Sequence, residues 1–344
     1  MNPISLKKES FPVSGQLKEY LAEYERDSEL PVGYNELLQY SSSFPLLDKL
    51  QDDTLWETTV YEKPLNDALN RGLTKIYSIL KTSGDISVIE HLYVDRVDYC
   101  TFGNSNPFRI RIVNHFNDNH DYFYVKKADA SRIYGLELEH ILSPNRIGYR
   151  VQNETLIEEH IAGIPGDAFF KKHLVRSELN KVRIAKEFVK FNERCFIRLL
   201  GDMRCYNYVV DVTPDFEDEQ YRIRVIDFDQ QSYEGRRIIY LLEFFEDNGP
   251  IVRLCTNLLN YEAIKQYQFE ERALVARRFK SSYKKIRHLL SCMEEETLSK
   301  PEKVAQLKHE LARYHENNDY LKCRTMGQIV ALNINVALSG MLDE

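Results

Sequence analysis

Residues 196–235 read FIRLLGDMRCYNYVVDVTPDFEDEQYRIRVIDFDQQSYEG, and the order of parts in this stretch decides the fold. A helix end runs into a short polar loop, then a strand, an acidic turn and a second strand that stops at Asp227-Phe228-Asp229. The loop carries Asp202, Arg204 two positions on and Asn207 five positions on, and the second strand delivers Asp227 at its end. Carboxylates and an amide oxygen are hard ligands suited to Mg²⁺, and an arginine beside them can meet a phosphate. This grouping can hold a metal-bound phosphate next to a nucleophile.

On the amino-terminal side, residues 88–161 are rich in β-branched and aromatic residues. Val88 to Cys100, the strictly alternating Phe108 to Val113 and Tyr122 to Val125 predict three antiparallel strands, with turns at Thr101–Pro107 and Asn117–Asn119. The first turn holds only Gly103 and is glycine-poor for a phosphate loop. The third strand ends in Lys126-Lys127. Ala130 to Leu142 predicts a helix carrying Glu137 and Glu139 that stops before Ser143-Pro144. Two further strands, Ile147 to Val151 and Thr155 to Ile161, lead into Ala-Gly163-Ile-Pro-Gly166, a candidate hinge.

The outer thirds are expected to be helical. Ser14 can cap a helix through Leu17, Tyr20, Leu21 and Tyr24, and Tyr34 to Tyr40 gives a weaker helical signal. Pro64 suits the first turn of a helix with Leu65, Leu69, Leu73, Ile76 and Leu80 on one face. Beyond the hinge, Leu179, Val182, Ala185 and Val189 share a face. So do Ala276, Phe279, Tyr283, Ile286 and Leu290, opposite a basic face of Arg277, Arg278, Lys280, Lys284, Lys285 and Arg287, read as solvated, with docking of an anionic partner as the alternative. Pro301 starts another helix, and Met326 to Leu342 is apolar enough to be buried.

Composition narrows the class. With 344 residues, 43% hydrophobic and 29% charged, the chain has the make-up of an ordinary globular protein of one large domain or two lobes. A net charge of -7 argues against a broad nucleic-acid-binding surface. Six scattered cysteines without a CxxC pair fit reduced thiols rather than a disulfide frame or a zinc site. The first 15 residues lack the apolar core of a signal peptide, and no run of eighteen apolar residues occurs. A cytoplasmic protein without a membrane or nucleic-acid partner is expected.

The order of these parts (five strands and a helix, a hinge, D-x-R-x-x-N and a strand ending in IDFD) resembles protein-kinase-like phosphotransferases. Gly201-Asp202, Ile226-Asp-Phe-Asp229 and Glu159-His-Ile161-Ala-Gly163 make the likeness closest to the aminoglycoside phosphotransferase and choline kinase family, over roughly residues 90–255. The resemblance implies an α+β bilobal fold: a helical extension at 1–87, a small antiparallel β-rich lobe at 88–162 and a mainly helical lobe at 163–344. It implies ATP and Mg²⁺ as cofactors and a hydroxyl-bearing small molecule as phosphate acceptor. Asp202 would be the base and Arg204 a cation against the transferring phosphate. Asn207 and Asp227, with Asp229 beside them, would be the metal ligands. Lys126 or Lys127 would contact the nucleotide phosphates and pair with Glu137 or Glu139. Strand alternation sends the two lysines to opposite faces, and Lys126 is preferred, with Phe123 expected outward beside Lys127. Glu159 and Ile161 would lie at the nucleotide.

Three departures stand out. Leu200 sits where a histidine commonly precedes Gly-Asp, an acidic insert at Asp211–Gln220 lengthens the hairpin, and the phosphate loop is poor in glycine. A kinase-fold protein without turnover is therefore the alternative. A metal-dependent phosphodiesterase built on Asp202, Asp227 and Asp229 is the third reading, disfavoured by the lack of clustered histidines. Carboxylates at Glu243, Glu246 and Asp247 could face a cationic acceptor or lie on the surface. His160 and Cys205 are read as structural.

Overall fold

The computed structural model describes residues 8–82, 90–101, 104–216 and 218–342. The strand start expected at Val88, Gly103 in the first turn and the first seven residues of the amino-terminal segment lie outside them. By internal packing the chain divides into two compact units, one of residues 7–130 and 147–160, the other chiefly of residues 131–146 and 161–344.

The first unit is built on one antiparallel sheet. Its elements are α1 (Gly15–Glu23), α2 (Tyr34–Leu37), β1 (Ser42–Leu47), β2 (Asp53–Val60), α3 (Lys63–Thr82), β3 (Leu92–Cys100), β4 (Phe108–Asn114), β5 (His120–Lys127), β6 (Tyr149–Gln152) and β7 (Thr155–Glu159). The strands run in the order β1-β2-β3-β4-β5-β7-β6. Leu69, Leu73 and Ile76 of α3 pack on Val97, Ile110, Ile112, Phe123 and Val125 of the sheet, with Leu65 and Leu80 at the margin. The stripe read from the sequence is therefore the face that covers the sheet, and burying each of those leucines contributes on the order of 2 kcal/mol. Ser14 caps α1 as expected, its Oγ accepting from the Leu17 N–H at 3.1 Å.

The expectation of a purely helical segment over residues 1–87 is corrected. Residues 42–60 form β1 and β2, which extend the sheet to seven strands where five were expected. Pro45 is tolerated because β1 is an edge strand. The turn between them is held by Asp48, whose Oδ1 accepts from the N–H groups of Leu50 and Asp52 at 2.7 and 2.9 Å. Attachment to β3 comes from tertiary contacts that the local pattern does not announce. Thr58 Oγ1 donates to the buried Asp98 at 2.9 Å, and Thr59 Oγ1 donates to the Val97 carbonyl at 2.9 Å. Asp98 also accepts from Arg96 at 2.7 Å and Arg109 at 2.9 Å.

The second unit holds α4 (Ala130–Leu142), β8 (Ile164–Pro165), α5 (Gly166–Lys172), α6 (Lys181–Ile197), β9 (Tyr208–Pro214), β10 (Glu219–Val225), α7 (Gly249–Leu258), α8 (Tyr261–Ser281), α9 (Tyr283–Glu295), α10 (Pro301–His315) and α11 (Met326–Ala337), with short 3₁₀ turns between Arg237 and Asn248. The expected hinge sequence is ordered into β8, which pairs with β9. The face expected to run from Ala276 to Leu290 spans two helices that break at Ser282. Ala276, Phe279, Ile286 and Leu290 are buried while Tyr283 is exposed, and Val182 of α6 is exposed too. α11 buries Met326, Ile329, Val330, Ala331 and Ile334 but leaves Asn335 exposed, as are Ser339 and Gly340 beyond it, and it is pressed so closely on α9 that a Cβ on Gly327 would lie 1.9 Å from the Met293 carbonyl oxygen. No helix among the described residues is long and apolar enough to cross a membrane, and the described cysteines are free. The architecture is mixed α+β.

Candidate active site

The loop after α6 and the strand end after β10 are zipped together by their backbones. Asn207 accepts from the Ile226 N–H at 3.1 Å, Gly201 donates to the Gln230 carbonyl at 3.2 Å, and Ser232 donates to the Leu199 carbonyl at 2.9 Å. Leu200 and Gln231 form an antiparallel bridge. Leu200, fully buried, fills with apolar packing the position where a histidine was expected. Because Tyr208 pairs with Val225, Asn207 and the start of Ile226-Asp227 emerge at the same end of the hairpin. The long acidic insert lies at the other end, where Pro214 pairs with Glu219, so it lengthens the hairpin without moving these residues.

Asp202 has a left-handed backbone, φ 58°, which its neighbours hold in place. Its N–H donates to the Ile239 carbonyl at 3.1 Å, and its carbonyl accepts from the Arg204 N–H at 2.8 Å and from Asn207 Nδ2 at 2.7 Å. The loop is braced from below by Asn248, fully buried, whose Nδ2 donates to the Met203 carbonyl and whose Oδ1 accepts from Tyr208, at 2.9 and 2.8 Å. The Asp202 carboxylate accepts from Arg204 Nε at 3.0 Å. Burial pushes its pKa up to about 6; Arg204 opposes that rise, and the charges of Asp227 and Glu234 add to it. A carboxylate with that proton affinity suits general-base work near neutral pH. Arg204 also reaches Asp247 at 3.2 Å and lies over the Phe245 ring at 5.3 Å. Of the three downstream carboxylates, then, Asp247 joins the site, while Glu243 accepts from Asn192 at 2.8 Å. Cys205 is buried and its thiol is pushed up to about 11 by burial and the nearby Asp247 charge, which suits filler rather than a nucleophile.

Asp227 and Asp229 are joined by a residue that the sequence pattern did not single out. Arg132 of α4, 1% exposed, donates from Nη1 to Asp227 Oδ1 at 3.0 Å and to Asp229 Oδ1 at 2.6 Å. The structure buries α4 almost all round, and a charge on such a helix requires a counter-charge. The other two charges on α4 obey the same rule, with Glu137 paired to Lys285 at 2.9 Å and Glu139 paired to Arg198. Lys285 belongs to the face read as solvated, and that reading is corrected for this residue.

In the sheet unit, Lys126 is buried and donates to Glu158 on the neighbouring strand at 2.8 Å, and Lys127 is exposed at the strand end. Phe123 is fully buried with Val125 in the core, not outward as expected. Its outward placement failed because the α3-facing side of the sheet takes residues 123 and 125 together. Glu159 accepts from the Gly148 N–H at 2.7 Å. His160 Nδ1 meets the Tyr124 hydroxyl at 3.2 Å. Ile161, in the helical unit, is buried.

The donor set bears on the expected magnesium. Asn207 gives its Nδ2 to Asp202, which leaves the amide oxygen as its ligating end. Asp227 is 35% exposed and contributes a charged oxygen. These two are hard oxygen donors at one end of one hairpin and fit a small divalent cation. Asp229, 10% exposed, is committed to Arg132. Among the described residues no group of three or more His, Cys, Asp and Glu side chains is arranged to hold a metal. No protein-family model matches the chain, and no curated protein matches it in sequence.

Proposed function

We propose that this chain is an ATP- and Mg²⁺-dependent phosphotransferase of the protein-kinase-like kind, acting on a hydroxyl of a small molecule. In this reading the sheet-bearing unit has the role of the small lobe and the helical unit that of the large lobe. The observation that carries it is the backbone zipper that delivers Asp202, Arg204, Asn207 and Asp227 to one end of a hairpin. Phosphoryl transfer asks a protein mainly for positioning and charge neutralisation, and this arrangement offers both.

Asp202, with a pKa near 6, would accept the proton of the attacking hydroxyl. Arg204, held between Asp202 and Asp247, would present its guanidinium to the transferring phosphate. Asn207 and Asp227 would hold a divalent cation, which when bound neutralises nucleotide phosphate charge. The acceptor class follows the family resemblance. Asp247, beside Arg204 at the loop, would suit an acceptor carrying an amine.

The test is a thermal melt of the full chain with and without Mg²⁺-ATP, since only a nucleotide site is stabilised by that ligand. Wild type should gain several degrees, Asp227→Ala should lose the gain, and Asp202→Ala should keep it while losing ATP turnover. Absence of any Mg²⁺-ATP stabilisation in wild type would sink the proposal. The Arg132 contact with Asp227 favours one second reading, a nucleotide-binding protein without turnover. That reading requires the same melting shift with no Asp202-dependent ATP consumption.

A further inference from the structure

Four arginines of the helical unit have no carboxylate to answer them. Arg146 follows α4, Arg222 and Arg224 lie on β10, and Arg278 lies on α8. Among the described residues none of the four forms an ion pair. The carboxylates around them are already engaged, Glu187 and Glu271 with Arg194 at 2.7 and 3.2 Å and Glu139 with Arg198. Asp211 stands opposite Arg222 in the β9–β10 register without pairing with it. Counted in full, it would still leave three guanidiniums unanswered.

The fold holds β10 and α8 to one another through a relay of polar contacts. The Ile223 N–H donates to Glu187 of α6 at 3.1 Å, Glu187 holds Arg194 at 2.7 Å, and Arg194 holds Glu271 of α8 at 3.2 Å. Arg222 and Arg224 are two apart on one strand, so both leave β10 on the face opposite the buried Tyr221, Ile223 and Val225. Burial lowers the pKa of Arg278. Glu271 and Glu139 oppose that shift, while the charges of Arg194 and Arg222 add to it, so Arg222 stands within electrostatic reach of Arg278.

Two of the side chains also hold an unmet donor. Arg278 Nη1 and Arg224 Nε are shut off from solvent and have no hydrogen-bond acceptor. Arg224 reaches only the Arg146 carbonyl, from Nη2 at 3.4 Å. A buried donor without an acceptor costs about 1–3 kcal/mol, and more when charged. Both side chains are half-buried, so a turn of each guanidinium can bring the unmet donor to an incoming oxygen. A guanidinium that is poorly hydrated at rest gives up less water in binding than a fully exposed one. Its fork of N–H groups matches the oxygens of phosphate. A phosphate group brings up to two charges and three strong acceptor oxygens, where a carboxylate brings one charge and two oxygens, and so it suits three cations better.

We propose that Arg222, Arg224 and Arg278 form a site for a phosphate group, as the free ion or as part of a small molecule, built from residues that the Asp202 loop does not use. Arg278 belongs to the basic α8–α9 face, and the anion is small because Arg224 and Arg278 are too recessed to meet a flat macromolecular surface. Nothing in this site depends on the phosphotransferase reading.

The experiment is calorimetric titration of the full chain with inorganic phosphate and, separately, with glycerol 3-phosphate. EDTA removes any cation-dependent site, and ionic strength is kept low and constant with chloride. Saturable binding is expected in wild type. Arg278→Gln and Arg222→Gln should each weaken it about tenfold or more, while Arg204→Gln at the Asp202 loop and Arg287→Gln on the same basic face should leave it unchanged. Tighter binding of one titrant tells a free ion from an esterified group, and loss of binding in Arg278→Gln supports the site for either. No saturable binding of either in wild type would overturn the proposal, as would binding that survives both Arg278→Gln and Arg222→Gln. Equal weakening by Arg287→Gln would overturn it too, by showing only a general effect of charge. Arg222 is exposed, so Arg222→Gln keeps the test in force if Arg278→Gln folds poorly.

Discussion

Replacing Asp202 by asparagine should make the protein more stable and, on the proposed phosphotransferase reading, abolish ATP turnover. Burial and neighbouring charge raise the carboxyl from 3.8 to about 6. A tenfold difference in proton affinity is worth about 1.4 kcal/mol, so keeping Asp202 ionised costs the fold roughly 3 kcal/mol above pH 6. The sign follows from proton uptake. Between pH 3.8 and about 6 the folded chain holds a proton that the unfolded chain has lost, so stability falls as pH rises through that window and levels off above it. Asparagine has no charge to desolvate, can still accept from Arg204 Nε through its amide oxygen, and tolerates a φ of 58° well. The gain should be about 1–3 kcal/mol at pH 8 and close to nothing at pH 3.5. Urea denaturation of both proteins from pH 3.5 to 8, with EDTA present because a bound cation would lower the carboxyl pKa, reads the difference directly. A difference that does not grow between pH 4 and 6.5, or a variant less stable than wild type at pH 8, would refute the burial argument.

Asp98 tests the correction to the sheet. It is fully buried and serves Arg96, Arg109 and Thr58 at once, so Asp98→Ala should cost about 3–5 kcal/mol in urea denaturation. Thr58→Val, which loses one hydrogen bond, should cost about 1 kcal/mol; equal costs for the two would contradict the view that Asp98 is the hub. In the helical unit, Gly327→Ala would push a methyl group to 1.9 Å from the Met293 carbonyl oxygen. Separating α11 from α9 should cost about 1–3 kcal/mol or more, seen as a drop in melting temperature, and an unchanged melt would mean the helices part easily.

Local signals were legible where the physics is local. α4 runs from Ala130 to Leu142, the residues expected from the pattern, because Pro144 and the apolar run set its end. The cap at Ser14 and the α3 stripe at Leu69, Leu73 and Ile76 were legible for the same reason. β1 and β2 were not, because their strand character depends on a neighbour. Thr58 and Thr59 hydrogen-bond to β3, nearly forty residues away in sequence, and no window of a dozen residues contains both partners. The Ala276–Leu290 repeat hid the break at Ser282 because the helical period continues across the bend.

Chain order alone was enough to nominate Asp202, Arg204, Asn207 and Asp227, since all four lie on one loop and one hairpin whose register is set by short-range pairing. What those groups do to one another needed the packed structure. The raised proton affinity of Asp202 comes from burial, which no sequence position displays. The partner of Asp227 and Asp229 comes from α4, 95 and 97 residues earlier in the chain. A buried charge must be answered by another, and only the tertiary fold decides which one is near enough to answer.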